Sequence, residues 1–438
     1  MFHHESEVIA WINGQLRFGI RPGLERMEKA LTCLNNPHLT VPTIHIAGTN
    51  GKGSTVTYLR CVLEEAGYQV GTFTSPYIET FNERISLNGR PISGEDLVRC
   101  ANRVHPIIEM INQSDLGPFT EFEIITLLSF VYFSEIEVDV LIYEVGLGGR
   151  LDATNVISPM VCGITNIGHD HEKILGPTKI QIAHEKLGIV KQGVTLITTE
   201  EDPDVLAEFE TITHKRQCSL IKALEIYRPT QVSLSEDGVT FNWPSLEGIQ
   251  LSMKGEHQVK NATLAYGILK YLKEKRKFTI SSVHIYRGMK LAFWAGRFEV
   301  IHKQPLIVLD GAHNVEGMKN LCQTVKKLYP NKKKVFMVSI LKDKDATEMF
   351  KYLEKVADEV YFTTFNHPRA QSAKEQYELY HRKNAGYHEE FHSLFQSVTQ
   401  TLCEGDCLVI TGSLYFISEV RKSILLGDLD NFFEPHLV

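Results

Sequence analysis

No Cys-x-x-Cys pair occurs among the eight cysteines, Cys33, Cys61, Cys100, Cys162, Cys218, Cys322, Cys403 and Cys407. This argues against a zinc site or a disulfide framework and leaves the thiols as apolar fillers. No apolar run reaches the ~18 residues that a membrane-crossing helix needs. The opening MFHHESEVIAWING also lacks a basic stretch followed by an apolar one, so a cytoplasmic protein with no membrane association is expected. A basic surplus is missing too: 46 Lys and Arg against 53 Asp and Glu leave a net charge of −7. That balance argues against a dedicated nucleic-acid binder and suits small-molecule substrates. Neither a nucleophile elbow nor a triad pattern is apparent, which disfavours a metal-free hydrolase. What remains is a soluble composition, 43% hydrophobic and 23% charged, on 438 residues, enough for two or three domains.

Strand-like apolar runs alternate with helical patterns, the signature of βαβ units and a mainly parallel sheet. Expected strands are 43–47, 70–74, 138–145, 160–166 and 194–199, with helices over 54–66, 94–113 and 121–135. Residues 220–251 read as short alternating strands, a small antiparallel patch. A second α/β series begins near Arg297, with strands at 306–309, 335–339, 359–364 and 407–411, after a candidate hinge at 290–296. The fold class is therefore α/β: a P-loop-type, mainly parallel N-terminal domain (1–295) and a smaller Rossmann-like C-terminal domain (296–438).

The most informative stretch is IHIAGTNGKGST, residues 44–55. A buried strand runs into a glycine-rich turn, one lysine, two hydroxyls and a helix. Thr49, Asn50, Gly51, Lys52, Gly53, Ser54 and Thr55 thus form a candidate phosphate cradle. Backbone N–H groups and the helix dipole would face the anion, and Lys52 would add a point charge. Gly53 separates Lys52 from Ser54, and Ile46 stands where the first glycine of the common spacing would fall.

Other chemistry-bearing residues sit where strands should end, the ligand-binding side of such sheets. Glu144 closes an apolar run and precedes GLGGRLDATN; its position suits a divalent cation. Ser75 ends another strand, and His171 of ITNIGHDH is a candidate metal or phosphate contact. Lys186 lies in an otherwise apolar helical segment. Asp310 and His313 follow LIVL, and Arg297 follows the hinge.

In order along the chain, AGTNGKGST, TSPYI, FNERIS, TEFE, VGLGGRLDATN, ITNIGHDH, EKLGIVK, HQVKNA, GRFE, DGAHN, DKD and TGSLYF resemble the folylpolyglutamate synthase/dihydrofolate synthase family of the ATP-dependent Mur ligase superfamily. The resemblance implies an amide ligase that activates a carboxylate as an acyl phosphate and captures it with L-glutamate. It implies ATP at Thr49–Thr55, Asn261, Arg297, Asp310 and His313, and two Mg²⁺ sites drawing on Ser75, Glu144 and His171. It also implies a CO₂-derived carbamate on Lys186, placing Lys52, Glu144, His171 and Lys186 in catalysis. A pterin would meet Gly23, Leu24, Thr120, Glu121, Phe122, Glu123, Leu151, Asp152 and Ala153. Asp152 resembles members that also accept dihydropteroate, which favours a bifunctional, monomeric enzyme; alternatives are a folylpolyglutamate synthase alone or another Mur-type ligase. Ala295 and Val315 replace prolines usual in the family, and His169 replaces a more often apolar residue, without removing a functional side chain.

Overall fold

The computed structural model describes residues 1–19 and 21–425. The chain divides into two compact units. The first comprises Met1–Gln231, Phe241–Gln250 and Val259–Ala292; the second comprises Val232–Thr240, Leu251–Gln258 and the chain from Phe293 onward.

The first unit is built on an eight-stranded sheet. Its strands are β1 (Thr43–Ala47), β2 (Val70–Phe73), β3 (Ile85–Leu87), β4 (Arg90–Pro91), β5 (Val140–Glu144), β6 (Val161–Ile164), β7 (Thr195–Thr198) and β8 (Leu220–Lys222). The order is β4-β3-β2-β5-β1-β6-β7-β8, with β3 and β4 antiparallel and the rest parallel. β1, β2, β5, β6 and β7 are buried along their whole length, which is why they read as continuous apolar runs rather than alternating ones. Phe73, Leu141 and Tyr143 join a core shared with helices Glu5–Asn13, Glu25–Cys33, Gly94–Asn112 and Glu121–Ser134. The last of these is apolar nearly all round and is buried accordingly. Helix Lys52–Glu65 begins two residues before the expected Ser54, because Gly51 at φ 86° turns the chain directly into it.

A three-stranded sheet, β9 (Thr230–Ser235), β10 (Gly238–Trp243) and β11 (Leu246–Leu251), has two-residue connections and so runs antiparallel. The expected patch was drawn too wide. Leu220–Lys222 pairs in parallel with β7 and extends the main sheet instead. Three residues show no period of their own, and the preceding helix Pro203–Lys215 supplies an ordinary crossover.

The second unit contains β12 (Glu299–Lys303), β13 (Leu306–Leu309), β14 (Lys334–Val338), β15 (Glu359–Thr364), β16 (Ala385–Glu390) and β17 (Cys407–Thr411). Their order is β12-β13-β17-β14-β15-β16, parallel except for β12. β12 and β16 are the two edges and lack the fully buried pattern of β13, β14 and β17, so neither stood out as an apolar run.

One buried ion pair ties the first unit together. Arg26 Nε donates to Glu123 Oε1 at 2.9 Å, with both side chains under 10% exposed. Removing one partner strands the other charge. Arg26→Ala is expected to destabilise this unit by about 3–5 kcal/mol, read as a lowered denaturation midpoint. An unchanged midpoint would contradict it.

Candidate active site

The helix starting at Lys52 has no side-chain cap. Its first turn therefore offers backbone N–H groups that no helical carbonyl can satisfy. The turn before it is held from outside. Thr49 N donates to Asn166 O at 2.9 Å, Asn50 N to Asn166 Oδ1 at 3.0 Å, and Thr165 Oγ1 to Asn50 O at 2.6 Å. A Cβ on Gly51 would stand 2.1 Å from Asn261 Oδ1, so glycine is required there both for its left-handed φ and for this contact. Ser54 and Thr55 are buried, and the Thr55 hydroxyl donates to Gly51 O at 2.9 Å.

Two lysines converge on one carbonyl of this turn. Lys52 Nζ donates to Gly48 O at 3.0 Å and to Thr49 O at 3.2 Å, while Lys186 Nζ donates to Gly48 O at 2.9 Å. Lys186 is 5% exposed. Burial, with Lys52 adding like-charge repulsion, pushes its ammonium down to about 7, and Asp170 and Asp152 only partly oppose this. Around neutrality a large share of it is free amine, the form that can take up CO₂.

Glu144 ends β5 beside β1 and is buried; the Ser75 amide, at the end of β2, donates to its Oε2 at 3.3 Å. His171 stands at φ 54°, unusual for a non-glycine residue, and its Nε2 lies 3.8 Å from Asp170 Oδ1. His169 turns instead to Glu172, 2.7 Å away. Among the described residues no three His, Cys, Asp or Glu side chains form a metal cluster. Any cation here would draw on mixed donors: a carboxylate, a hydroxyl, an imidazole and nucleotide oxygens. A buried carboxylate next to a serine at a strand end fits a hard cation such as Mg²⁺.

The segments read as pterin contacts also converge, but several of their polar groups are already engaged. Glu123 accepts from Arg26 and from the Thr120 amide and hydroxyl in a capping box. Glu121 pairs with Arg84 at 2.6 Å, and the Arg84 guanidinium lies over the Tyr77 ring. The Phe122 ring fills the space that a side chain at Gly146 would take. Gly23 stands at φ 140° and Leu24 caps the helix that carries Arg26. Leu151 and Ala153 flank Asp152. Both Asp152 oxygens are occupied, one by Thr154 (amide 3.0 Å, hydroxyl 2.5 Å) and the other by Leu147 N at 2.8 Å; burial raises its carboxyl. Gly149 abuts the carbonyls of Glu185 and Lys186, so this flexible loop packs against the Lys186 helix.

In the second unit Asp310 directly follows β13. Its Oδ2 accepts from Phe298 N and its Oδ1 from Ala312 N, both at 2.9 Å. Burial raises its carboxyl while Arg297 holds it down. Gly311 N donates to Gly296 O, fixing the backbone beside Arg297, and His313 Nδ1 lies 2.8 Å from Gly311 O. Sequence reasoning named no role for Ser339, or for Ser413 within TGSLYF, buried hydroxyls without partners beyond the ends of β14 and β17. It gave no role to Asn166 and Thr154, inside ITNIGHDH and VGLGGRLDATN, or to Glu200, which lies in no motif; all three hold loops.

Residues 102–269 match the Mur ligase middle domain and residues 296–414 the Mur ligase glutamate ligase domain. A dihydrofolate synthase/folylpolyglutamate synthase of Bacillus subtilis is 40% identical over 435 residues, covering 97% of this chain and 100% of that one. The folylpolyglutamate synthase of Thermotoga maritima superposes with a TM-score of 0.85 at 32% identity, over 98% of both chains. That of Mycobacterium tuberculosis, complexed with ADP, gives 0.89 at 27% identity, over 97% of this chain and 99% of that one.

The depressed Lys186 fixes the sign of a pH effect. Its stabilising contribution is complete only above its unfolded value near 10.5 and is lost as pH falls to about 7. In CO₂-free buffer, Lys186→Met is expected to melt higher than the parent at pH 7, by a margin that shrinks toward pH 10. A margin that widens with pH would contradict the assignment.

Proposed function

Because this chain belongs to the dihydrofolate synthase/folylpolyglutamate synthase family of Mur-type ligases, we propose that it joins L-glutamate to folates and to dihydropteroate at the expense of ATP. The observation that carries the reading is the convergence of an uncapped helix start, Lys52 and Lys186 on the Gly48 turn, beside Ser75 and Glu144.

An oxygen of the acceptor carboxylate attacks the γ-phosphorus of ATP, and ADP leaves. The amine of glutamate then adds to the acyl carbon, and the tetrahedral intermediate collapses to amide and inorganic phosphate, with the amine's proton lost. Backbone N–H groups of Gly51–Thr55 hold the phosphates, and Lys52 leaves the Gly48 carbonyl to offset charge on the transferring group. Ser75 and Glu144, with His171 at a second site, would hold Mg²⁺, which would supply charge neutralisation on the phosphoryl oxygens. As a carbamate, Lys186 would become an oxygen donor for the cation. Asn261, Arg297, Asp310 and His313 contribute to ATP, with nucleotide and pterin binding assigned to residues 1–295 and glutamate ligation to 296–438, of which 426–438 lie outside the described residues. Catalysis rests on positioning and electrostatics, with no covalent enzyme intermediate.

Arg84, Glu121, Phe122, Gly23 and Leu24 would receive the pterin. A second reading, folylpolyglutamate synthase activity alone, draws support from Asp152, whose oxygens hold the Leu147 amide and Thr154 instead of standing open to a ligand. No helix among the described residues is long and apolar enough to cross a membrane; a cytoplasmic monomer is proposed.

Incubation with ATP, Mg²⁺, labelled glutamate and either dihydropteroate or tetrahydrofolate is expected to give both amide products. Product from tetrahydrofolate alone would select the second reading, and product from neither would reject the proposal. Lys52→Ala is expected to lower kcat on the order of 100-fold with the fold intact; near-parental turnover would deny Lys52 this role. Lys186→Ala is expected to be inactive and partly restored by short carboxylic acids. Full activity without them would discard the carbamate.

A further inference from the structure

Three consecutive acidic residues follow β7: Glu200, Glu201 and Asp202. Each ties down a different segment that carries site residues. Glu200 Oε2 accepts from Ile167 N at 2.5 Å, inside the loop that leads to His171. Glu201 pairs with Lys260, the neighbour of Asn261 on helix His257–Arg276. Asp202 Oδ2 pairs with Lys179 at 2.7 Å, on the first turn of the helix that carries Lys186.

The three ties differ in weight. Lys260–Glu201 and Lys179–Asp202 are substantially exposed, and exposed ion pairs contribute little. Glu200 is 9% exposed, and its other oxygen, Oε1, accepts from Glu201 N and Asp202 N, both at 2.8 Å. A buried carboxylate with three N–H donors is a strong anchor, and removing it leaves the Ile167 amide unsatisfied.

The Ile167 amide is where that anchor bears on the phosphate turn. The residue before it, Asn166, accepts from the Thr49 and Asn50 amides. On the other side Gly168 exchanges hydrogen bonds with the Thr49 hydroxyl, at 2.9 and 3.2 Å. Thr199 adds a parallel tie, its hydroxyl donating to Thr165 O at 2.9 Å. The path from Glu200 to the turn is thus a short run of backbone and side-chain bonds within one unit.

We infer that Glu200 is a positioning residue for the nucleotide site, acting through the Thr165–Gly168 loop on the Thr49–Asn50 turn and touching no substrate itself. The inference rests on the proposal that ATP phosphates bind at this turn. It assigns Glu200 to nucleotide affinity and not to the pterin segments, whose ties run through Arg26, Thr120 and Asp152.

The test compares the parent with Glu200→Gln, Glu200→Ala and Glu201→Gln, measuring ADP affinity, KM for ATP and for the folate acceptor, kcat and melting temperature. A glutamine keeps one acceptor oxygen and is expected to weaken ADP binding less than alanine does. For alanine we expect about a 10- to 100-fold loss of nucleotide affinity, with the folate KM within about twofold and the melting temperature lowered by only a few degrees. Glu201→Gln is expected to stay within about twofold throughout. Unchanged ADP affinity in both Glu200 variants, or parallel losses in both KM values with a collapsed melting temperature, would overturn the inference. Failure of the parent to bind ADP would instead reject the underlying nucleotide reading.

Discussion

An α-helix whose first turn lacks a side-chain cap, set at the end of a fully buried strand, presents its first amides and the positive end of its dipole to an anion. The helix beginning at Lys52 is in that position, and much of the first unit serves to keep it there. β1 delivers the turn from the middle of the sheet, with β5 and β6 on either side. The neighbouring strand ends then set Glu144, the Thr165–His171 loop and Ser75 around it. Lys52 and Lys186 share the Gly48 carbonyl, which brings two like charges close together. Burial makes this costly for Lys186, whose ammonium gives way toward the free amine. An anionic ligand at this turn would meet the helix start and both lysines at once.

The supporting shell is made of bonds between residues far apart in the chain. Arg26 reaches Glu123, and His45, inside β1, meets Thr154, which in turn bonds Asp152. Since the Thr154 hydroxyl donates to Asp152, His45 must donate from Nε2. Burial, with Lys191 nearby, holds that imidazole neutral, down at about 3. The strand that leads into the Gly48–Lys52 turn is thereby joined to the loop after Glu144 by a buried polar chain.

The central strands and the turn between β1 and the Lys52 helix were legible because their signals are local. β1, β13, β15 and β17 fall on their expected residues, and strands 70–74, 138–145, 160–166 and 194–199 are shorter by one to three residues. Edge strands β12 and β16 escaped notice, since an edge need not be apolar along its length. A lysine in an apolar helical segment can lie at the surface or inside; only tertiary packing reveals that Lys186 is buried. The glycines of GLGG permit a close approach, and what approaches at Gly149 is the protein's own helix. Thr120, Glu123 and Asp152 matched a ligand-binding pattern, whereas the structure gives their polar atoms to caps and loops. That distinction depends on partners such as Arg26, 97 residues from Glu123, which no local window contains.

The account depends on the Lys52 turn being the place where phosphates bind. A structure of this protein with a non-hydrolysable ATP analogue tests that most directly. The expected result has phosphate oxygens within hydrogen-bond reach of the Gly51–Thr55 amides and the Lys52 ammonium drawn off the Gly48 carbonyl onto them. Phosphates bound elsewhere, with Lys52 still on Gly48, would contradict it.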